Sequence, residues 1–206
     1  MKTMIIIRNF LIPMIAVVSL FSSCTAPVNL NYESARMLNK GQAEVQGGVS
    51  TYSMENQSIN TNYGGKLGFG ITNRYNLKLR FEAIVPPKSH LYNEFSWTYF
   101  EIDNKISLNE NLALSLPICF YASEDGDGYS VFDPRLYITM RHENTFEFTI
   151  MPKCHVFLGD GIAPMPGISL GLGLSSDLNK WSLRPEIGYD TYFSAGVGLS
   201  IFLEGK

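Results

Sequence analysis

Charge is scarce in this 206-residue chain. Asp, Glu, Lys and Arg together make up 17% of it, against roughly 25% in an ordinary soluble domain. Nor is there a basic excess: the formal net charge is -3, which excludes the electrostatic footprint of a nucleic-acid binder. Cysteine and histidine are each present three times. They show no zinc spacing, and there is no nucleotide loop and no nucleophile elbow, so no metal, no cofactor and no catalytic set is expected. Long helical periodicity is missing too. The longest apolar run, "FLIPMIAVVSLF" at 10 to 21, is too short for a spanning helix and is interrupted by Pro13.

What the chain does have is Gly (18 residues), aromatics (13%) and alternation. In "YNLKLRFEA", residues 75 to 83, Tyr75, Leu77, Leu79, Phe81 and Ala83 are apolar, while Asn76, Lys78, Arg80 and Glu82 between them are polar. Such a segment is a strand with two chemically opposite faces. Ten period-two segments follow one another, at about 41–54, 61–72, 75–84, 96–108, 112–122, 130–141, 145–158, 167–177, 181–189 and 192–203. Most exceed the five or six residues usual in soluble sheets and are long enough to cross a hydrocarbon layer at a tilt.

The connections alternate between two kinds. Tight Asn-containing turns fall at 73–74, 109–111, 142–144 and 178–180, and longer segments richer in Gly or Pro at 54–60, 85–94, 123–129 and 159–166. Only the last hairpin, around Asp190, departs from the rule. One face of the ten segments carries no charged residue. The other carries Lys78, Arg80, Glu82, Glu101, Asp103, Lys105, Asp133, Arg135, Arg141, Glu147, Lys153, Arg184 and Glu186 among Gly and Ser. Small residues suit the crowded concave side of a narrow barrel, and Tyr75, Phe146 and Trp181 open strands beside the tight turns, where an interfacial aromatic girdle belongs. The pattern therefore predicts an all-β, antiparallel up-and-down barrel of about ten strands, transmembrane in type, with the apolar face towards lipid and the charged face towards the lumen. A soluble barrel carrying an apolar ligand is the same pattern turned inside out.

Residues 1–23 form a secretory signal, with Lys2 and Arg8 ahead of the apolar run. "LFSSC" resembles the lipobox of bacterial lipoproteins, which implies lipidation at Cys24. A polar leader at 24–39 follows, in which "ESARML" is read as one helical turn, and the barrel occupies 40–206. Residues 40–203 as a whole resemble the small outer-membrane β-barrels of Gram-negative bacteria, and "SARMLNKGQAEVQGG" is similar to the lead-in to strand one in lipobox-bearing members of that group. The resemblance implies an outer-membrane location, integral, lipid-anchored or both, with membrane lipid as partner and no nucleic acid; it names no protein or small-molecule partner. Two departures stand out: the chain ends "EGK" after Phe202 and Leu203, and Pro117, Pro134, Pro152 and Pro185 fall inside strands, where bulges or local unpairing are required.

Within the charged lumen, Lys78, Arg80, Glu82, Glu101, Asp103, Lys105, Asp133, Arg135, Glu147, Lys153, Arg184 and Glu186 are expected to pair into a network that largely closes it, because unpaired charges in a narrow lumen carry a desolvation cost. A structural or binding role through the outer loops follows, with a small channel or a lipid-modifying or proteolytic enzyme as alternatives. For the last, His90, Asp125, Asp127, His155 and Asp160 are placed towards the long-loop end. "EDGDG" at 124–128 reads as a solvated turn, since it lacks the closing Glu of a calcium loop. Cys119 and Cys154 fall on opposite parities and are not expected to pair. With an even number of strands and Cys24 at the inner leaflet, both termini are expected on the tight-turn side.

Overall fold

The computed structural model describes residues 30–53, 59–85, 96–124, 126–159 and 164–204. The signal stretch, Cys24, His90, Asp125 and Asp160 lie outside these described residues. Twelve strand segments occur in chain order: β1 (Ala43–Ser53), β2 (Ile59–Thr72), β3 (Tyr75–Val85), β4 (Trp97–Asn109), β5 (Leu112–Ser115), β6 (Ile118–Ser123), β7 (Gly128–Phe132), β8 (Arg135–His142), β9 (Phe146–Phe157), β10 (Met165–Leu174), β11 (Trp181–Tyr189) and β12 (Phe193–Leu203).

Every pairing is antiparallel, and β1 joins β12 through ten residue pairs, from Ala43 with Leu203 to Tyr52 with Ser194, so the sheet closes on itself. The twelve segments make ten staves. β5 and β6 lie end to end along one stave, and β7 and β8 along the next. The breaks fall at Pro117 and Pro134, which lack the N–H that a central strand would donate. Around each break the chain stays bonded, through Asp133 N–H to Pro117 O at 3.2 Å and Cys154 N–H to Pro134 O at 3.1 Å. Pro152 and Pro185 instead remain within β9 and β11.

The side chains are sorted as the alternation requires. No Asp, Glu, Lys or Arg points outward from a described strand. Val45, Leu67, Phe81, Ile102, Phe120, Ile168, Ile187 and Leu199 are exposed there, and Trp181 and Phe146 near the tight turns and Tyr189 and Phe193 near the opposite end complete two aromatic rims. Inside, charged and polar side chains are buried. This is the arrangement of a transmembrane barrel: apolar without, polar within.

The leader departs from expectation. "ESARML" forms no helical turn, and the described residues contain no helix at all. From Leu30 to Asn39 the chain is irregular, buried almost throughout, and lies inside the barrel. It reverses at Gly41, whose φ of 81° suits glycine and whose N–H donates to Gly70 O at 2.8 Å, and it leaves the lumen as β1.

Ladder length predicts local stability. β7 is tied to β9 by two residue pairs, whereas β1 and β2 share eleven. In hydrogen-exchange measurements on the folded barrel, β7 amides are expected to lose protection first and β1–β3 amides last; uniform exchange around the barrel would contradict this.

Candidate functional site: a stoppered, charged lumen

The lumen is built from inward positions on all ten staves and from the leader that crosses it. Glu33 sits at its centre. Its carboxylate receives Lys78 Nζ at 2.9 Å and Lys105 Nζ at 2.8 Å and is paired with Lys66 as well. The three lysines come from β3, β4 and β2, one residue of the leader thus tying three neighbouring strands. Lys78 also meets Glu44 of β1 at 2.8 Å, and the Lys105 ammonium stands 4.6 Å from the centre of the Tyr137 ring. Three lysines this close repel one another; the carboxylate between them makes the cluster tenable.

Above this cluster, Arg80 pairs with Glu82, donates to the Leu30 carbonyl and reaches Asn31 Oδ1 at 2.9 Å. Glu101 receives Arg135 at 2.7 Å, and Arg135 also meets Asp133 at 2.7 Å. The Tyr99 hydroxyl donates to Glu101, and Asp103 accepts from Ser115 at 2.6 Å. On the opposite wall Glu147 pairs with Arg184, with Arg36 and Arg141 further off at 3.8 Å. Glu186 turns its carboxylate to the backbone, accepting from the N–H groups of Asn31 at 3.2 Å and Tyr32 at 2.5 Å. Lys153 meets Asp190 at 2.9 Å.

All twelve lumen residues singled out from the sequence are therefore buried and face inward. Their ion-pair partners Glu33, Arg36, Glu44, Lys66 and Asp190 were not among the residues assigned to the lumen from the sequence. Glu44 and Lys66 share the lumen parity of their strands, so the alternation itself could have supplied them. Glu33 and Asp190 lie outside any alternating run, and only the excess of lysine on β2–β4 hints that a carboxylate must come from elsewhere.

The leader is seated by shape as well as charge. Tyr32, at a φ of 53°, lays its ring where β1 and β12 carry glycine, and its hydroxyl donates to Val49 O at 2.8 Å. A Cβ at Gly198 would stand 2.6 Å from Tyr32 Cγ, and one at Gly48 would stand 2.6 Å from Cε2. These lumen glycines thus make room for a ring. Towards the tight turns the lumen widens into a vestibule of about 550 Å³ lined by Arg36, Leu38, Lys40, Arg141, Asn179 and Phe202. Towards the other end it is filled by a buried cluster of Tyr52, Ile84, Tyr99, Cys119, Tyr121 and Val131.

The remaining candidates fall as follows. His155 faces Asp133 through Nδ1 at 3.3 Å and Asp190 through Nε2 at 3.5 Å, so each ring nitrogen stands beside a carboxylate. Asp127 is exposed in a turn where Ser123 N–H donates to its carbonyl at 2.8 Å. Among the described residues, no three His, Cys, Asp or Glu are grouped to hold a metal ion. Cys119 is buried in the lumen, Cys154 lies on the outer parity of β9, and both are free.

Removing the central carboxylate leaves three lysines in the lumen with Glu44, on Lys78, as the remaining close carboxylate. Glu33→Gln is expected to lower the unfolding free energy of the refolded barrel by about 3 to 5 kcal/mol. Gly198→Leu should unseat Tyr32 and open residues 30–39 to protease without unfolding the sheet. Urea titration and limited proteolysis in detergent check the two; wild-type behaviour in both variants would show that the leader is not held as described.

No protein-family model matches the chain, and no curated protein matches it in sequence. Several solved structures are similar to it. The N-terminal β-barrel domain of OprF from Pseudomonas aeruginosa is 12% identical, with 81% of this chain and 100% of that one covered and a TM-score of 0.38. The translocator domain of the autotransporter NalP from Neisseria meningitidis is 9% identical over 79% and 87%, at 0.41. Ail, the attachment invasion locus protein of Yersinia pestis, is 9% identical over 80% and 99%, at 0.36. At these values none of them bears on what this chain does.

Proposed function

We propose that the chain is an integral outer-membrane barrel, lipidated at Cys24, whose lumen is stoppered by its own leader, and that it works as a structural or binding element through its long loops and not as a general pore. The observation that carries this reading is Glu33, held inside the barrel by Lys66, Lys78 and Lys105. A conducting pore needs a continuous polar path, whereas here leader residues are buried along the lumen and the tyrosine cluster packs above them. The uncharged outer surface, with aromatic rims at both ends, supports contact with lipid. A soluble carrier of apolar ligands would need an apolar interior; the interior here is charged.

Lipid contact is tested by one substitution. Leu199 is exposed near the middle of β12. Leu199→Arg is expected to destabilise the barrel in bilayers by about 2 to 4 kcal/mol, whereas at an exposed position in water it would change stability by no more than about 0.5 kcal/mol. Extraction only by detergent, and a gel mobility that shifts on boiling, are expected alongside.

The stopper is tested electrically. In planar bilayers the wild-type barrel is expected to be silent, and a variant lacking residues 30–38 to conduct in steady steps. Large, steady wild-type conductance would defeat the reading.

A further inference from the structure

One charged group in the lumen is not matched as the others are. Glu33 has Glu44 beside it on Lys78, and Arg135 lies between Glu101 and Asp133. Glu147 faces three arginines. Arg184 pairs with its Oε1, while Arg36 Nε and Arg141 Nε both stand 3.8 Å from its Oε2, beyond the reach of a hydrogen bond. Among the described residues no second carboxylate forms an ion pair with any of the three, and the nearby Asp177 is taken by Lys180 at 3.4 Å. Arg36 Nε is buried without a hydrogen-bond partner. One carboxylate thus leaves two positive charges over.

The surplus stands at the wall of a cavity. Arg36 and Arg141 line the vestibule of about 550 Å³ on the tight-turn side, together with Lys40, and a space of that size takes a small molecule. Their side chains are 14% and 30% exposed, so they are partly desolvated and still within reach of a ligand. The amides of the lining add to the same chemistry. Asn179 Oδ1 accepts from Arg36 Nη1 at 2.7 Å, Asn73 Oδ1 from Lys40 N–H at 2.9 Å, Asn109 Oδ1 from Asn111 N–H at 2.9 Å and Gln42 Oε1 from Asn39 N–H at 3.0 Å. Each of these partners can only donate, which fixes the orientation of each amide and leaves its NH2 to offer. The lining acids Glu110 and Glu204 are both exposed. The vestibule is rich in donors and poor in acceptors.

We propose that the vestibule binds a small polar molecule by a carboxylate or phosphate group, held by Arg36 and Arg141 with Lys40 adding charge. The guanidinium fork matches the oxygens of either group, and the amide NH2 groups suit acceptor oxygens on the rest of the molecule. An apolar or cationic ligand would leave these donors unpaired. On the outer-membrane reading the mouth opens to the periplasm, at the end of the barrel away from the long loops. Because Arg36 belongs to the leader, the stopper forms part of the binding wall. The inference rests on the seated leader and not on the lipid.

Isothermal titration of the refolded full chain in detergent, at constant ionic strength, tests it with two probes, inorganic phosphate and citrate. Saturable binding of at least one is expected, weakened about tenfold or more in Arg141→Gln. Binding of citrate alone assigns a carboxylate ligand, and binding of phosphate alone assigns a phosphate. Glu147 keeps Arg184 in this variant, and folding is read from the heat-dependent gel shift. If Arg141→Gln does not fold, Lys40→Gln at an exposed position replaces it, with an expected loss of about threefold. Wild-type affinity in the folded variant overturns the inference, as does the absence of saturable binding of either probe up to about 10 mM. Conductance reads the stopper separately, so a silent barrel that binds neither probe defeats this inference and leaves the stopper standing.

Discussion

One carboxylate among three ammonium groups sets the state of this barrel. Lys66, Lys78 and Lys105 converge inside a lumen too narrow and too crowded to hydrate them freely, and Glu33 is the anion they share. Burying like charges together is tolerable only when an opposite charge sits between them with good geometry. Because Glu33 belongs to the leader and the lysines to the wall, the same contact fixes where the leader lies. Glu186 on the backbone of Asn31 and Tyr32, and the glycines beneath the Tyr32 ring, then hold it in register.

A barrel of this kind inverts the usual division between core and surface. The outer staves hold the apolar area, and the interior is held by ion pairs, hydrogen bonds and a few aromatic rings. Tyrosine suits that interior, since its ring fills space while its hydroxyl finds a polar partner. Tyr99 does both, its ring packed at a tilt on Tyr121 with centroids 4.9 Å apart and its hydroxyl bonded to Glu101. A second small cluster, Ala35 with Ala113, Tyr137 and Met151, packs the leader against β5, β8 and β9.

The wall was legible in the sequence because its signal is local. Alternation at Leu77, Lys78, Leu79 and Arg80 assigns each side chain to a face without reference to any other strand, and Pro117 and Pro134 mark the two breaks through a missing N–H. The leader is not legible in this way, and "ESARML", where the sequence suggests a helical turn, forms none. Its residues have neither a period of two nor a helical stripe, and their conformation is set by groups from β1, β2, β3, β4, β8, β9 and β11, far away along the chain. Glu33 looks like any solvated glutamate until Lys66, Lys78 and Lys105 are brought around it. Lumen glycines such as Gly196 and Gly198 fit a crowded concave face by sequence alone; the ring they accommodate comes from outside the sheet.

The seam between β1 and β12 joins the first strand to the last. Such a hoop is completed only when the carboxy-terminal stave arrives, and until then the curved sheet has an open side along its full length. A charged, polar segment can be laid sideways into that trough, but drawing it end-on through a finished tube would mean breaking each ion pair in succession. The sterically simple order of assembly is therefore leader first and seam last. β12, whose glycines Gly196 and Gly198 close over Tyr32, is then both the final stave and the latch.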